Sequence, residues 1–353
     1  MTLTQLRYLV AIADSGLNIT LAAGRVHATQ PGLSKQIKRL EEELGFLLFA
    51  RRGRSLQALT AAGAQVLGYA RRVLNEAGNI RTLAANQRGD RRGRLTVVTT
   101  HTQARHVLPH AIAAIKREFP EVTVHLHPAD EGDILPQLAG GDADVAIISS
   151  SGAVPEGGIV VPLFRWSRVV LAPRAHQLAL KKSAPSMREL SVHPLVSYAS
   201  SQRPGSSLRR AFAQAGLDLR LAMTAIDADL IKTYVREGVG IGVLAEMAVN
   251  GEDSDLRALP APDALPECIT WAVLPRERVL RDYALALVHA LAPQLDRHDL
   301  RRAVSGNAQP QWPNPPHWSN MQRLRPASQA DRAACEGETR MPIGKSAMEG
   351  CLV

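Results

Sequence analysis

Residues 29–45 read TQPGLSKQIKRLEEELG, and this stretch decides the architecture of the first part of the chain. Thr29 is a helix-capping type, Pro31 falls in a first turn where a missing N–H costs nothing, and Gly45 is a natural stop. The spacing predicts a helix over 30–44. Leu33, Ile37, Leu40 and Leu44 share one face, while Gln30, Ser34 and Lys38, spaced by four, share another with Lys35 and Arg39 beside them. A short helix with an apolar inner face and a polar, basic outer face fits a DNA major groove. There glutamine pairs with an adenine edge, and serine or lysine reaches bases or phosphates. The same spacing also describes an ordinary solvated helix face, so the flanking sequence has to decide.

On the amino-terminal side, Leu6, Leu9, Val10 and Ala13 recur at helical spacing up to Gly16, and Asn18 is placed to cap a second helix over 19–26. The connection 27–29 is short. On the other side, apolar pieces at 46–49 and 56–59 flank the basic turn Arg51-Arg52-Gly53-Arg54, the pattern of a two-stranded wing. Its arginines Arg51, Arg52 and Arg54 would meet backbone phosphates or the minor groove. Residues 1–59 therefore read as a winged helix-turn-helix. Its DNA-facing residues are Thr29, Gln30, Pro31, Ser34, Lys35 and Lys38 together with the three wing arginines.

Charge distribution agrees. The net charge is +9; residues 1–92 carry 14 basic against 6 acidic side chains, residues 93–296 carry 20 against 22, and residues 297–353 carry 8 against 5. A basic first quarter before a near-neutral body fits a polyanion-binding module joined to something else. No run is long and apolar enough to span a bilayer. The opening MTLTQLRYLVAIADSG lacks the pattern of an export leader, so a cytoplasmic location is expected. Cys268, Cys335 and Cys351 are scattered and suggest neither a disulfide framework nor a zinc site.

Residues 60–87 predict one long helix capped by Thr60, with Val66, Val73 and Ile80 seven apart, Ala70, Ala77 and Ala84 seven apart between them, and Leu67 and Leu74 widening the stripe. This is read as a dimerisation helix with an a/d seam. A polar hinge, NQRGDRRGR, follows at 86–94. Strands are then expected at 94–100, 122–127, 144–149, 159–163, 168–172, 195–198, 219–225 and 269–274. Helices are expected at 104–118, 134–138, 206–215, 228–237 and 280–295. The alternation implies an α/β body over 88–296 with largely parallel sheets. From 297 to 353 the sequence turns rich in proline, asparagine and glutamine, and a disordered tail without a packed core is expected, Trp312 and Trp318 included.

At 97–109 (VVTTHTQARHVLP) a strand runs into a helix, bringing threonine hydroxyls and a glutamine amide to a helix start, which suits a small oxyanion; Thr102 as a plain helix cap is the alternative. Asp227 and Asp229 read as capping acids, and Gly238, Gly240 and Gly242 as a tight helix-to-strand connection. His101, His125 and His127 lack partners at ligand spacing, so no metal site is assigned. No catalytic constellation stands out, and no cofactor is expected.

Residues 3–63, with the paired Ala22-Ala23, TQPGLSKQIKRLEEELG, LF-RR and LT-AG, closely resemble the amino-terminal domain of LysR-type transcriptional regulators. The stretches at 97–109, 165–168 (RWSR) and 224–249 (TAIDADLIKTYVREGVGIGVLAEMAV) resemble the CysB-like branch, which controls cysteine biosynthesis and sulfur assimilation. The resemblance runs to about residue 295. It implies a recognition helix beginning near Gln30, a dimer-forming long helix, and a homotetramer on partly palindromic promoter DNA, with RNA polymerase as a partner. It also implies an effector domain of periplasmic-binding-protein fold. One subdomain spans about 93–163 and 268–296, the other about 164–267, and they enclose a small anion of sulfur metabolism such as sulfate. The matched anion-contacting positions are Thr100, Thr102, Gln103, Ser149 (usually threonine in the branch) and Trp166. The loop ASSQRPGSSL departs from the branch: Arg203 stands where a threonine is expected, although a shift of register would bring a serine in. An arginine there would pair bidentately with a more highly charged anion, or point into solvent. A solute-binding protein for a small oxyanion would share such a cleft, but the basic helical head and the missing leader count against it.

Overall fold

Side-chain caps set the helices of the first domain. Thr2 and Gln5 close a capping box on α1 (Leu3–Asp14), Asn18 accepts from the Leu21 N–H to open α2 (Ile19–Arg25), and Thr29 accepts from the Gly32 N–H to open α3 (Gln30–Leu44). Gly45, at φ +79°, ends α3 in the left-handed conformation that favours glycine. A computed structural model describes residues 1–53, 55–250, 253–306 and 311–324.

Leu9, Leu33, Ile37 and Leu40 are fully or almost fully buried and form the centre of the three-helix core. The wing pairs β1 (Phe49–Arg52) with β2 (Ser55–Leu59) in antiparallel register. Its first strand therefore starts later than the expected 46–49. The reason is local: the backbone N–H groups of Leu48 and Phe49 donate to the Glu41 carboxylate, and Leu48 O accepts the Thr60 N–H, so the chain is held before the ladder begins.

Thr60 caps α4 (Ala61–Gln87) as expected, accepting from the Gly63 N–H at 2.8 Å. The stripe that α4 leaves uncovered differs from the expected seam. Tyr69, Val73, Ile80 and Leu83 are exposed, whereas Ala70 is buried in the head core and Ala77 and Ala84 are half-buried. The companions of Val73 and Ile80 are thus Tyr69 and Leu83, because the alanine track is turned onto the chain's own residues.

Beyond the hinge the order is β3 (Gly93–Thr99), α5 (His101–His106), α6 (Leu108–Glu118), β4 (Val122–Pro128), α7 (Glu131–Gly140), β5 (Val145–Ser150), β6 (Ile159–Trp166), β7 (Arg168–Pro173), α8 (Met187–Ser191), β8 (Leu195–Tyr198), α9 (Ser207–Gln214), β9 (Leu221–Ala225), α10 (Ala228–Arg236), β10 (Ile241–Ala245), β11 (Leu256–Pro260), β12 (Cys268–Leu274), α11 (Asp282–Leu291), α12 (Arg297–Val304) and α13 (Trp318–Leu324). Two five-stranded sheets result, ordered β4-β3-β5-β12-β6 and β11-β7-β10-β8-β9. Strand β3 runs parallel to β4 and β5, and β8 parallel to β9 and β10, while β7 runs antiparallel to β10 and β11. The second sheet is therefore mixed, which the expectation of largely parallel sheets did not foresee. The helix expected over 104–118 breaks into α5 and α6 around Val107, since Pro109 in the first turn of α6 has no N–H to continue α5.

The chain divides into two compact units: Met1–Val161 with Trp271–Pro313, and Pro162–Thr270 with the described residues from Asn314 onward. The expected disordered tail is corrected for 297–306 and 311–324. Helix α12 buries Leu300 and Ala303. The Trp312 indole donates to Val160 O at 2.9 Å within the first unit. In the second unit, Trp318 is buried against Phe164 with ring centroids 4.9 Å apart, and the Arg165 N–H donates to Pro316 O at 2.8 Å. Two tryptophans in a polar, proline-rich stretch supply enough apolar area to dock it without a local core.

Candidate DNA-binding face and effector-binding residues

Helix α3 turns its apolar side inward and leaves Gln30, Pro31, Lys35, Lys38 and Arg39 exposed, with Ser34 half-buried and Thr29 exposed at the cap. Lys38 stands 3.6 Å from Glu42, both largely in solvent, a pairing weak enough to yield to a phosphate. His27 lies at φ +52° in the turn between α2 and α3, so a non-glycine residue there bears left-handed backbone strain.

The wing arginines are not equivalent. Arg51 Nη2 lies 2.7 Å from Glu41 Oε2, and Glu41 is almost fully buried. The same carboxylate accepts from Leu48 N at 2.9 Å and Phe49 N at 3.3 Å. Arg51 is thereby held against α3, and Arg52 is exposed. Arg54 lies outside the described residues. Glu41 was missed in the sequence because a run of three glutamates reads as a solvated helix end. The signal was its position four residues after Ile37, on the apolar face.

Four of the matched effector positions lie in the first unit. Thr100 caps α5, accepting from the Gln103 N–H at 3.4 Å. Thr102, the expected alternative cap, is instead inside the helix and buried, as is Gln103. Gln103 Nε2 donates to Ser149 Oγ at 2.9 Å, joining α5 to the end of β5. The next residue, Ser150, accepts from Trp271 Nε1 at 2.9 Å. Neither Ser150 nor Trp271 was singled out from the sequence. The group is one of neutral amide and hydroxyl functions, a kind that can hold an anion without a proton to exchange.

In the second unit, Trp166 is buried, and its indole N–H donates to Thr270 Oγ1 at 3.0 Å, so that donor already has an acceptor. Arg203 is exposed just after a short turn of helix, while Ser201 in the same loop is buried and shares a 3.0 Å hydrogen bond with Ser197. Asp227 caps α10, accepting from Leu230 N at 2.8 Å. Among the described residues no three histidine, cysteine, aspartate or glutamate side chains stand together as metal ligands, and no helix is long and apolar enough to cross a membrane. Cys335 and Cys351 lie outside the described residues.

Comparison with known proteins agrees with this organisation. Residues 3–64 match the model of the bacterial regulatory helix-turn-helix protein, lysR family, and residues 88–296 match the LysR substrate binding domain. The chain is 35% identical over 303 residues to the HTH-type transcriptional regulator CysB of Haemophilus influenzae, covering 86% of this chain and 94% of that one. It is 35% identical over 309 residues to the HTH-type transcriptional regulator SsuR of Burkholderia cenocepacia, covering 86% of this chain and 100% of that one. The crystal structure of the cofactor-binding domain of the Cbl transcriptional regulator superposes with a TM-score of 0.56 at 32% identity, covering 61% of this chain and 94% of that one. With a helix-turn-helix head, a two-unit α/β body and relatives that are regulators rather than enzymes, the chain belongs to the LysR family of DNA-binding transcription regulators.

Proposed function

We propose that this regulator controls genes of sulfur and cysteine metabolism in response to a small oxyanion, sulfate or a related metabolite, held by Thr100, Thr102, Gln103 and Ser149. The observation that carries the proposal is the Gln103–Ser149 hydrogen bond beside the Thr100 cap, which gathers residues far apart in sequence into one neutral donor group. Sulfate is fully ionised at neutral pH and accepts only, so amide and hydroxyl donors suit it. Similarity to CysB and SsuR supports the metabolic setting. Trp166 and Arg203 belong to the same reading through the resemblance. Within the second unit the indole N–H of Trp166 is donated to Thr270, and Arg203 is exposed, either to an anion or to solvent.

DNA is read by Thr29, Gln30, Pro31, Ser34, Lys35 and Lys38, with Arg52 on phosphate and Arg51 orienting the wing. The chain acts in the cytoplasm as a homotetramer, together with RNA polymerase. Calorimetry of the full chain with sodium sulfate tests the effector reading. Thr100→Val and Gln103→Ala should each weaken binding at least tenfold without unfolding the domain, and affinity equal to the parent overturns it. For DNA, Gln30→Ala should weaken binding to the chain's own upstream region, and Lys38→Ala should lower the salt slope by about 1. Unchanged binding in both removes α3 from the groove.

A further inference from the structure

Helix α4 carries a second polar face that the DNA-binding role does not require. Asn75 Nδ2 donates to Glu277 O at 2.6 Å, and Asn79 Nδ2 donates to the same carbonyl at 2.8 Å. The Asn79 amide also works in reverse, its Oδ1 accepting the Val279 N–H at 2.8 Å. At the penultimate residue of the helix, Asn86 Nδ2 donates to Leu280 O at 2.9 Å. Three asparagines thus grip one short backbone stretch that follows β12. Asparagine is a poor helix former compared with alanine, so three of them on one face are a cost that the loop contacts offset.

The gripped loop is hydrogen-bonded to the strand that carries candidate effector residues. Arg278 reaches Ala143 O at 3.1 Å and Asp144 Oδ1 at 3.3 Å, at the start of β5. Asp144 Oδ2 accepts the Thr96 N–H of β3 at 2.9 Å. The far end of β5 carries Ser149 and Ser150, bonded to Gln103 and Trp271. One strand therefore has the candidate effector residues at one end and the anchor of the α4-gripping loop at the other, and β12 links the same two places. Strands β5 and β12 thus join the two places by continuous hydrogen-bonded structure, a physical route along which a rearrangement at one end can bias the other.

We infer that Asn75, Asn79 and Asn86 form a latch through which the effector domain sets the position of the DNA-binding head, by a route additional to the covalent hinge at 88–94. The inference rests on the chain's DNA-binding role and not on which anion it senses.

The test uses the full chain, a triple variant Asn75→Ala, Asn79→Ala, Asn86→Ala, and the control Thr82→Ala, whose side chain lines the same groove and makes none of these bonds. Alanine strengthens the helix, so loss of α4 is not expected. Hydrogen exchange is read on the 276–281 segment, and the DNase I footprint and DNA bend are read on the chain's own upstream region without added anion. The latch requires exchange at least tenfold faster in 276–281 in the triple variant, with unchanged exchange in β12. It also requires an altered footprint length or bend, with DNA affinity within about twofold of the parent. The control should match the parent. Exchange equal to the parent means the latch does not exist, and faster exchange with parental footprint and bend means it controls nothing. A parent that ignores sulfate sinks the effector reading and leaves these outcomes interpretable.

Discussion

At the scale of single residues, the head depends on one buried carboxylate. Glu41 satisfies two backbone N–H groups and one arginine, so replacing it by alanine strands the amides of Leu48 and Phe49 and frees Arg51. Glu41→Ala should cost about 2–4 kcal/mol in urea denaturation, more than loss of the Arg51 pairing alone by Arg51→Ala. In the second unit, Asp253 is buried beside Lys232 at 3.1 Å and Arg236 at 2.9 Å. Burial disfavours its charge, but hydrogen bonds from Lys232 and Arg236 outweigh that and hold its pKa below the ordinary value. A depressed carboxylate pKa contributes stability above the unfolded value of about 3.9, lost as pH falls through the lower folded value. Asp253→Asn should therefore be clearly destabilising at pH 7, by roughly 3 kcal/mol, with the gap to the parent closing as denaturation is repeated below pH 3.9. Residue roles were legible where chemistry is local. The caps at Asn18, Thr29, Thr60 and Asp227 follow from residue type before a helix. Glu41, Asp253 and Trp271 were not, because their partners lie in other elements and only folding brings them together.

At the scale of elements, the joint between head and long helix has no spare room. A Cβ built on Gly63 would lie 2.0 Å from Leu48 O, a backbone atom that cannot swing away. Gly63→Ala should force α4 off the wing and lower stability by about 2 kcal/mol or more, read as a drop in melting temperature. On the opposite side of α4, the exposed Tyr69, Val73, Ile80 and Leu83 sit where a second copy would pack. Ile80→Glu should shift sedimentation toward the monomer, and an unchanged dimer would move the contact elsewhere. The helix itself was legible from its cap and length. Its orientation was not, since two heptad tracks fit the same letters and only burial of Ala70 chooses between them. Strand β10, buried along its whole length, was implied by the helix-to-strand glycines before it but given no bounds, since a short apolar run among glycines carries no alternation to mark its ends.

At the scale of the whole molecule, the basic surplus of the first 92 residues falls where the helix-turn-helix match lies and the near-neutral stretch where the substrate-domain match lies, although charge alone did not choose between DNA binding and solubility. The carboxy-terminal stretch was misjudged over its described residues, 297–306 and 311–324, because average polarity says little when two tryptophans do the docking. Trp318→Ala should destabilise the second unit by about 3–5 kcal/mol in chemical denaturation, and a negligible change would return the segment to the role of a passive tail. Strand β6 is last in its sheet, and residues 316–318 lie against it, one backbone hydrogen bond and a parallel bridge at Arg165 closing the contact. A protein cut after 296, where the substrate-domain match ends, would leave that rim bare. Bare rims of sheets recruit strands from neighbouring molecules. Trimmed preparations should therefore cloud or self-associate on concentration, and a screen for small ligands run on them would score molecules that merely patch the missing cover.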